Sequence, residues 1–186
     1  MKQYLYLLGF AFLLSGIYTS CKPDTLTALH DNEVIAQDKY VKNHTLTKFK
    51  DVSGIFFKDS IKGTGDTIKS GYKVMLYFKI TLLDGTVCFT TEDAAGRNYE
   101  EFPFYVDVSN TTVNLQYVQQ IAGLHHGMKK MQVGGTAFMV IPSELAFKAV
   151  DTNVGYLIIP RFSTLLATVY VKKAYSPAQQ LAQQQQ

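Results

Sequence analysis

The chain has 186 residues, of which 47% are hydrophobic, and its 18 basic and 15 acidic side chains leave a net charge of +3. No basic cluster accompanies this small charge, which argues against a nucleic-acid-binding protein. The sequence has two cysteines, Cys21 and Cys88. It shows no catalytic triad, metal-ligand spacing or phosphate-binding loop, so no metal or other cofactor is expected.

The N-terminus has the pattern of a secretion signal. Lys2 supplies a positive charge, residues 4–18 form an apolar run too short for a membrane span, and small residues precede Cys21. This pattern resembles a bacterial lipoprotein signal, in which residues 1–20 are removed and Cys21 is lipidated. An ordinary signal peptide cut near Cys21 is the alternative. The lipoprotein interpretation predicts a lipid-anchored protein of the bacterial cell envelope, at the outer membrane and facing the periplasm or the surface.

Residues 21–51 form a polar leader of mixed charge. An acidic start favours a helix over about residues 32–43, since negative charge stabilises the N-terminal end of a helix. The apolar stripe of this helix is weak and consists of Val34, Ile35, Tyr40 and Val41. A disordered linker is the alternative, and a helix would either act as a spacer or pack on the domain.

The compact domain begins near residue 52, and its clearest element is a strand over residues 72–83. Apolar and more polar residues alternate there with period two, which indicates one buried and one more exposed face. Asp84-Gly85 predicts a tight hairpin, from which residues 86–91 return as a paired strand. Further strands are predicted at residues 53–57, 102–108, 136–141 and 163–173, and a loop at residues 110–116.

One main helix is predicted over residues 117–131. Its apolar residues Ile121, Leu124, Met128 and Met131 share one face, and the Gly134-Gly135 pair ends it. Many strands with one main helix predict an α+β fold, in which an antiparallel sheet covers the helix.

Two further patterns concern the surface and the C-terminus. His125 and His126 are neighbours on the helix and project about 100° apart, so they cannot form a same-face metal pair and are expected at the surface. Residues 177–186 are rich in glutamine without a packing pattern, which predicts a disordered tail.

Five short motifs together resemble the macrolide-binding, FKBP-type peptidyl-prolyl isomerases over about residues 52–174. They are Leu-Asp-Gly-Thr-Val at 83–87, Ile-Ala-Gly-Leu at 121–124, Val-Gly-Gly at 133–135, Ile-Pro-Ser-Glu-Leu-Ala at 141–146 and Ser-Thr-Leu at 163–165. The resemblance implies an FKBP-like domain over residues 52–176, with an antiparallel β-sheet wrapped around one short helix. Its substrate would be proline-containing, unfolded or extended polypeptide.

The resemblance also implies an apolar cup as the active site, without covalent chemistry. A dry aromatic pocket favours the twisted X-Pro amide, which has lost its resonance, over the planar one. The backbone N–H of Ile121 would donate to a substrate carbonyl. By position, the cup residues are Phe78, Phe104, Ile121, Leu124, Phe147, Ile159 and Ala167.

The departures from the family pattern weaken this site. The family's pocket aspartate is missing, because the aligned pair is Cys88-Phe89, and Cys88 is expected to pack as a small hydrophobe. Phe147 and Phe78 stand where the family has tyrosines, and Ala167 replaces an aromatic residue. Weak isomerase activity or none is therefore expected, and the resemblance implies a membrane-tethered isomerase or folding helper.

Two other functions stay open. A non-catalytic peptide- or protein-binding module, serving as a chaperone or assembly subunit, would keep the scaffold and lose the chemistry. A purely structural envelope lipoprotein would have a closed cup.

Overall fold

A computed structural model describes residues 25–98, 100–108 and 116–185 of the chain. The expected signal segment 1–20 and the expected lipidation site Cys21 lie outside these residues, as does most of the loop expected at 110–116. The helices of the described residues are α1 (Thr25–Asn43), α2 (Gln116–Gln119), α3 (Ala122–Met128) and α4 (Pro177–Gln184). The strands are β1 (Phe56–Ile61), β2 (Lys73–Leu82), β3 (Val87–Thr90), β4 (Phe102–Tyr105), β5 (Thr136–Ile141), β6 (Thr152–Asn153), β7 (Ile158–Ile159) and β8 (Leu165–Tyr175).

An antiparallel sheet with strand order β1-β5-β8-β2-β3 forms the body of the protein, and β4 pairs with β2. Its inner face is apolar because the predicted period-two pattern holds, and the alternate side chains of β2 from Val74 to Ile80 are buried. The predicted α+β class and the wrapped-helix arrangement are thus confirmed.

Helix α3 lies against the inner face at close range. A Cβ atom on Gly123 would lie 2.4 Å from Cγ2 of Ile141, and one on Gly127 would lie 2.3 Å from Sδ of Met139. The glycines therefore allow α3 to approach β5, with Leu124 buried in the core.

The predicted helix over residues 117–131 is divided at Ile121. This residue has extended backbone, with ψ of 96°, and separates α2 from α3. None of the helices in the described part of the chain combines the length and apolarity needed to cross a bilayer.

Helix α1 covers the outer face of the sheet and begins seven residues earlier than predicted. Its buried residues, spaced four apart, are Glu33, Gln37 and Val41. Val34 and Ile35 are exposed, the latter by 66%, so the predicted apolar stripe is wrong at these two residues, whereas Val41 is buried and Tyr40 packs beside it. Val41 belongs to a second apolar cluster with Leu46, Phe56, Val140 and Leu166. The leader is therefore a packed helix over 25–43 rather than a linker.

The C-terminal end also differs from the prediction, because residues 177–184 form helix α4. Ser176 caps this helix, since its hydroxyl accepts from the backbone N–H of Gln179, whose side chain accepts from the N–H of Ser176. The side-chain amide of Gln180 donates to the backbone oxygen of Gly71 at 2.9 Å. The predicted disordered tail is therefore wrong over this helix, which is tied to the domain.

Candidate functional site

The predicted cup residues lie on three strands, at the start of α3 and in the segment that follows β5. Phe78 lies on β2, Ala167 on β8 and Phe104 on β4, while Ile121 and Leu124 lie at the start of α3. Phe147 and Ile159 belong to the segment 146–162, called the flap here, which carries the β6-β7 hairpin. Six of the seven belong to the main core cluster, and Phe147 packs against that cluster.

The cup is closed in this structure. Apart from Phe147, which is half-buried, none of the seven residues is more than 6% exposed. Exposed apolar side chains lie on the flap instead, at Val150, Tyr156 and Ile158. Of the seven side chains, only that of Phe147 is partly accessible to solvent in this arrangement.

Two aromatic contacts organise the interior, and each includes a phenylalanine absent from the predicted set. Phe102 packs edge-on against Phe78, with ring centroids 5.2 Å apart and planes at 87°. Phe89 lies 6.3 Å from Phe147 between ring centroids. Period two places Phe102 on the same face of β4 as Phe104, so the sequence contained the signal for Phe102.

The ring of Phe104 packs against His125 of α3, with the ring centroids 4.6 Å apart. His125 was expected at the surface, and this expectation is wrong, because its side chain is only 13% exposed. Its Nδ1 atom accepts from the backbone N–H of Asp107 at 2.9 Å, and Nε2 lies 2.7 Å from the backbone oxygen of Gln119. These partners assign the proton to Nε2 of a neutral ring. Burial lowers the pKa of His125, in agreement with that assignment.

Few polar groups face the aromatic interior. The backbone N–H of Ile121, the expected donor to substrate, donates to the backbone oxygen of Val118 at 3.3 Å. Phe89 and Phe147 carry no polar atoms where they meet. Burial raises the pKa of the Cys88 thiol to about 11, so Cys88 stays protonated and is a poor nucleophile near neutral pH.

Tyr156 on the flap carries a hydroxyl that reaches β3, although most of its side chain is exposed. This hydroxyl donates to the backbone oxygen of Cys88 at 3.5 Å, which joins the flap to β3. Such a site can bind and enclose apolar groups, and its chemistry is one of selective binding rather than proton transfer.

A second cluster of chemically active side chains lies where α1 meets the base of the flap. Ligand atoms of His30, Glu33 and Glu144 lie within 4.8 Å of one another. A cavity of about 270 Å³ lies beside His30 and Glu144 and is also lined by Leu26, Thr27 and Phe162. His30 pairs with Glu144, and the Glu33 carboxylate accepts hydrogen bonds from Ser143 and Thr164. Because these groups already have protein partners, the cluster joins α1 to the base of the flap, and the same three side chains carry the atoms that could bind a cation.

Comparison with known proteins gives a consistent assignment. The family model of FKBP-type peptidyl-prolyl cis-trans isomerases matches residues 65–172, more than half of the chain. The crystal structure of FkpA from Escherichia coli superposes with a TM-score of 0.62 at 22% identity, covering 94% of this chain and 71% of that chain. No curated protein sequence is significantly similar.

Two further solved structures share the fold. A peptidyl-prolyl cis-trans isomerase from Pseudomonas syringae pv. tomato gives a TM-score of 0.59 at 19% identity, covering 78% of this chain and 96% of that chain. The three-FKBP-domain structure of wheat FKBP73 gives 0.55 at 24% identity, covering 68% of this chain and 48% of that chain. At these identities the likeness concerns the fold.

Proposed function

Because this chain belongs to the FKBP-type peptidyl-prolyl cis-trans isomerase family, we propose that it binds proline-containing segments of unfolded or extended polypeptide and accelerates their isomerisation weakly. The observation that supports this most is the aromatic interior around Leu124, in which Phe78 packs on Phe102 and Phe89 faces Phe147. These side chains come from separate strands and the flap, and they belong to, or pack against, the core cluster that contains Leu124.

The proposed mechanism needs no acid, base or nucleophile. The barrier to X-Pro rotation comes from amide resonance, which the twisted transition state has lost. A dry aromatic enclosure disfavours the more polar planar amide, so that it binds the twisted amide better and lowers the barrier. The closed flap supplies this dryness once the substrate is inside.

Weak activity follows from the missing polar groups. A hydrogen bond to a substrate carbonyl contributes about 1 kcal/mol, or roughly a fivefold change in rate when it is made only in the transition state. Phe78, Phe89 and Phe147 offer none, and the N–H of Ile121 is engaged with Val118 in the closed form. The Ile121 donor becomes available to substrate if the weak 3.3 Å contact opens.

The same proposal places the protein in the bacterial cell envelope, anchored by lipid on Cys21 at the outer membrane. The support is the sequence pattern before Cys21. Proteins that arrive unfolded in the envelope have slow X-Pro steps, for which an isomerase or folding helper is useful. The test is Cys21→Ser, which should release the protein from membranes and change its apparent mass. Membrane attachment unchanged by Cys21→Ser would exclude the lipid anchor.

A non-catalytic binding module is the second candidate. The lack of side-chain hydrogen-bonding groups on the aromatic residues of the cup favours it, because such a site suits extended apolar peptide with little demand on sequence. A purely structural protein shares the closed cup, but the exposed apolar side chains of the flap favour a surface that meets other polypeptides.

The deciding experiment is an isomerisation assay on the purified protein, with a short Xaa-Pro peptide and a refolding protein limited by proline isomerisation. Phe147→Leu removes the ring at the flap, and Phe147→Tyr adds the hydroxyl that the family carries there. An isomerase predicts a loss of activity with leucine and a gain of about fivefold with tyrosine. Peptide binding is measured on the same samples.

The outcomes separate the candidates. Binding without acceleration in all three proteins would support the binding module and exclude the isomerase. Neither binding nor acceleration from folded protein would support the structural role.

A further inference from the structure

Helix α1 reaches the two ends of the flap through one buried carboxylate. Glu33 is 7% exposed and accepts from the backbone N–H of Ser143 at 2.8 Å and from its hydroxyl at 2.5 Å. It also accepts from the hydroxyl of Thr164 at 2.8 Å. Ser143 precedes the flap and Thr164 follows it, and both are almost completely buried. A single side chain, more than a hundred residues away in sequence, therefore joins both ends.

The contacts above this junction extend it into the flap. The backbone oxygen of Ser143 accepts from the N–H groups of Ala146 and Lys148, which enclose Phe147 in a tight turn. The N–H of Phe162 donates to the backbone oxygen of Lys148 at 2.8 Å, which joins the two arms directly. A displacement of Ser143 relative to Thr164 would therefore move Phe147.

A further cross-link lies higher in the flap. The backbone N–H of Arg161 donates to Asp151 at 2.8 Å, and its guanidinium pairs with the same carboxylate. The guanidinium of Arg161 lowers the pKa of Asp151 by hydrogen bonding. Beyond it, Thr152 pairs with Ile159 in the β6-β7 hairpin. The two arms of the flap are thus joined to each other above the base, and the base itself is bonded to Glu33.

The burial of a carboxylate at position 33 is unusual for a helix that docks on an apolar cluster. A charged group is costly to bury unless hydrogen bonds compensate it, and an apolar residue would dock a helix on the outer cluster without that cost. All three hydrogen bonds to Glu33 come from the base of the flap. The carboxylate of Glu33 is therefore matched to the hydrogen-bond donors at the base of the flap, and docking of α1 on the sheet alone would not require it.

We propose that Glu33 is a positioning residue for the proline cup: from the leader helix it sets the closed position of the flap, and hence of Phe147 and Ile159 over the aromatic interior. This inference rests on the proposed function for its substrate. The contacts through which Glu33 acts do not depend on whether the cup catalyses or only binds.

The test compares Glu33→Gln with Asp31→Asn, an exposed acidic residue on the same helix, in the full protein. The amide of glutamine has one acceptor oxygen where the carboxylate has two, so the junction loses its charge and the hydroxyl of Ser143 loses its acceptor in residue 33. Amide hydrogen exchange of residues 146–162 should accelerate by about tenfold or more, while exchange in β2 and β8 stays unchanged. Asp31→Asn should leave both regions as they are.

A second variant guards against failure to fold. Ser143→Ala removes one hydroxyl donor, keeps the backbone bond to Glu33 and should accelerate exchange in the flap in the same way. Titration with a proline-containing peptide should show weaker binding in Glu33→Gln and Ser143→Ala, and a rise in KM that exceeds the fall in kcat wherever isomerisation is measurable.

Unchanged flap exchange in folded Glu33→Gln, or equal acceleration across flap and sheet, would overturn the proposal. Absence of isomerisation in the wild-type protein would overturn the catalytic function alone, because flap exchange and peptide binding would still decide the role of Glu33.

Discussion

The two faces of the sheet are covered by helices that pack in different ways. On the inner face, α3 meets the strands through apolar side chains and through glycines that permit close approach. On the outer face, α1 combines a small apolar cluster with the buried polar residues Glu33 and Gln37. Apolar packing depends on volume, whereas buried polar groups depend on their partners. Helix α3 thus holds the domain together through its packing, whereas helix α1 bonds to the base of the flap through Glu33.

Phe104→Ala tests the inner face and should have the largest effect. The ring is fully buried against His125, and its loss leaves a cavity, so the free energy of unfolding should fall by about 3–5 kcal/mol. Denaturant unfolding measures it, with Phe138→Ala in the outer cluster as the matched control. Equal losses from the two variants would remove the distinction between the faces. Because Phe104 supports the fold, its substitution cannot report on the cup alone.

Thr164→Val tests the polar junction on the outer side. Valine keeps the shape of threonine and removes the hydroxyl that donates to Glu33, which should reduce the free energy of unfolding by about 1.5–3 kcal/mol. Thr168→Val, at an exposed position on β8, the strand that begins directly after Thr164, is the control and should change the free energy of unfolding by about 0.5 kcal/mol or less. A loss at Thr164 no larger than at Thr168 would mean that the Glu33 junction contributes little to stability.

The same contrast explains which parts of the structure could be predicted from the sequence. The inner face follows hydrophobic periodicity, so β2, β5, β8 and the fold class were predictable. Helix α1 was predicted too short, and only Tyr40 and Val41 of its predicted stripe pack on the domain, because the other buried positions, Glu33 and Gln37, are polar. Hydrophobic pattern alone cannot identify a face held by hydrogen bonds.

The cup and the C-terminal helix illustrate two further limits. Period two identified the face of β4 but not which phenylalanine packs on Phe78, because that depends on position along the strand. For α4, Ser176-Pro177 with Gln179 is a capping signal that the glutamine-rich composition obscured. Local capping chemistry was the better guide there.

Gln37→Leu should increase stability. The side-chain oxygen of Gln37 is buried without a hydrogen-bond partner among the described residues, which costs free energy that leucine would not incur. We expect a gain of about 1 kcal/mol in the free energy of unfolding, measured by thermal and denaturant unfolding. Gln180→Leu provides the contrast, because the amide of Gln180 is bonded to the backbone oxygens of Gly71 and Tyr175. A loss of stability in Gln37→Leu would mean that this oxygen has a partner, such as a bound water.

The pH dependence of stability reports on His125. An unfolded histidine has a pKa of about 6.5, whereas burial lowers the pKa of His125 in the folded protein. Below pH 6.5 the unfolded state therefore binds a proton first, and stability falls as pH decreases toward the folded pKa, by at most about 1.4 kcal/mol per pH unit. Protonation of Nδ1 also turns this atom from an acceptor into a donor, so the backbone N–H of Asp107 loses its hydrogen-bond partner.

Unfolding measured between pH 7.5 and 5.5 should show this slope in the wild type, and His125→Gln should flatten it. His126→Gln, at the neighbouring position, is the matched control and should retain the slope. If His125→Gln keeps the full slope, the pH dependence comes from groups other than His125, and burial against Phe104 does not disfavour the protonated imidazole. The inner face would then owe nothing to a buried neutral ring, and the contrast between the two faces would fail at this residue.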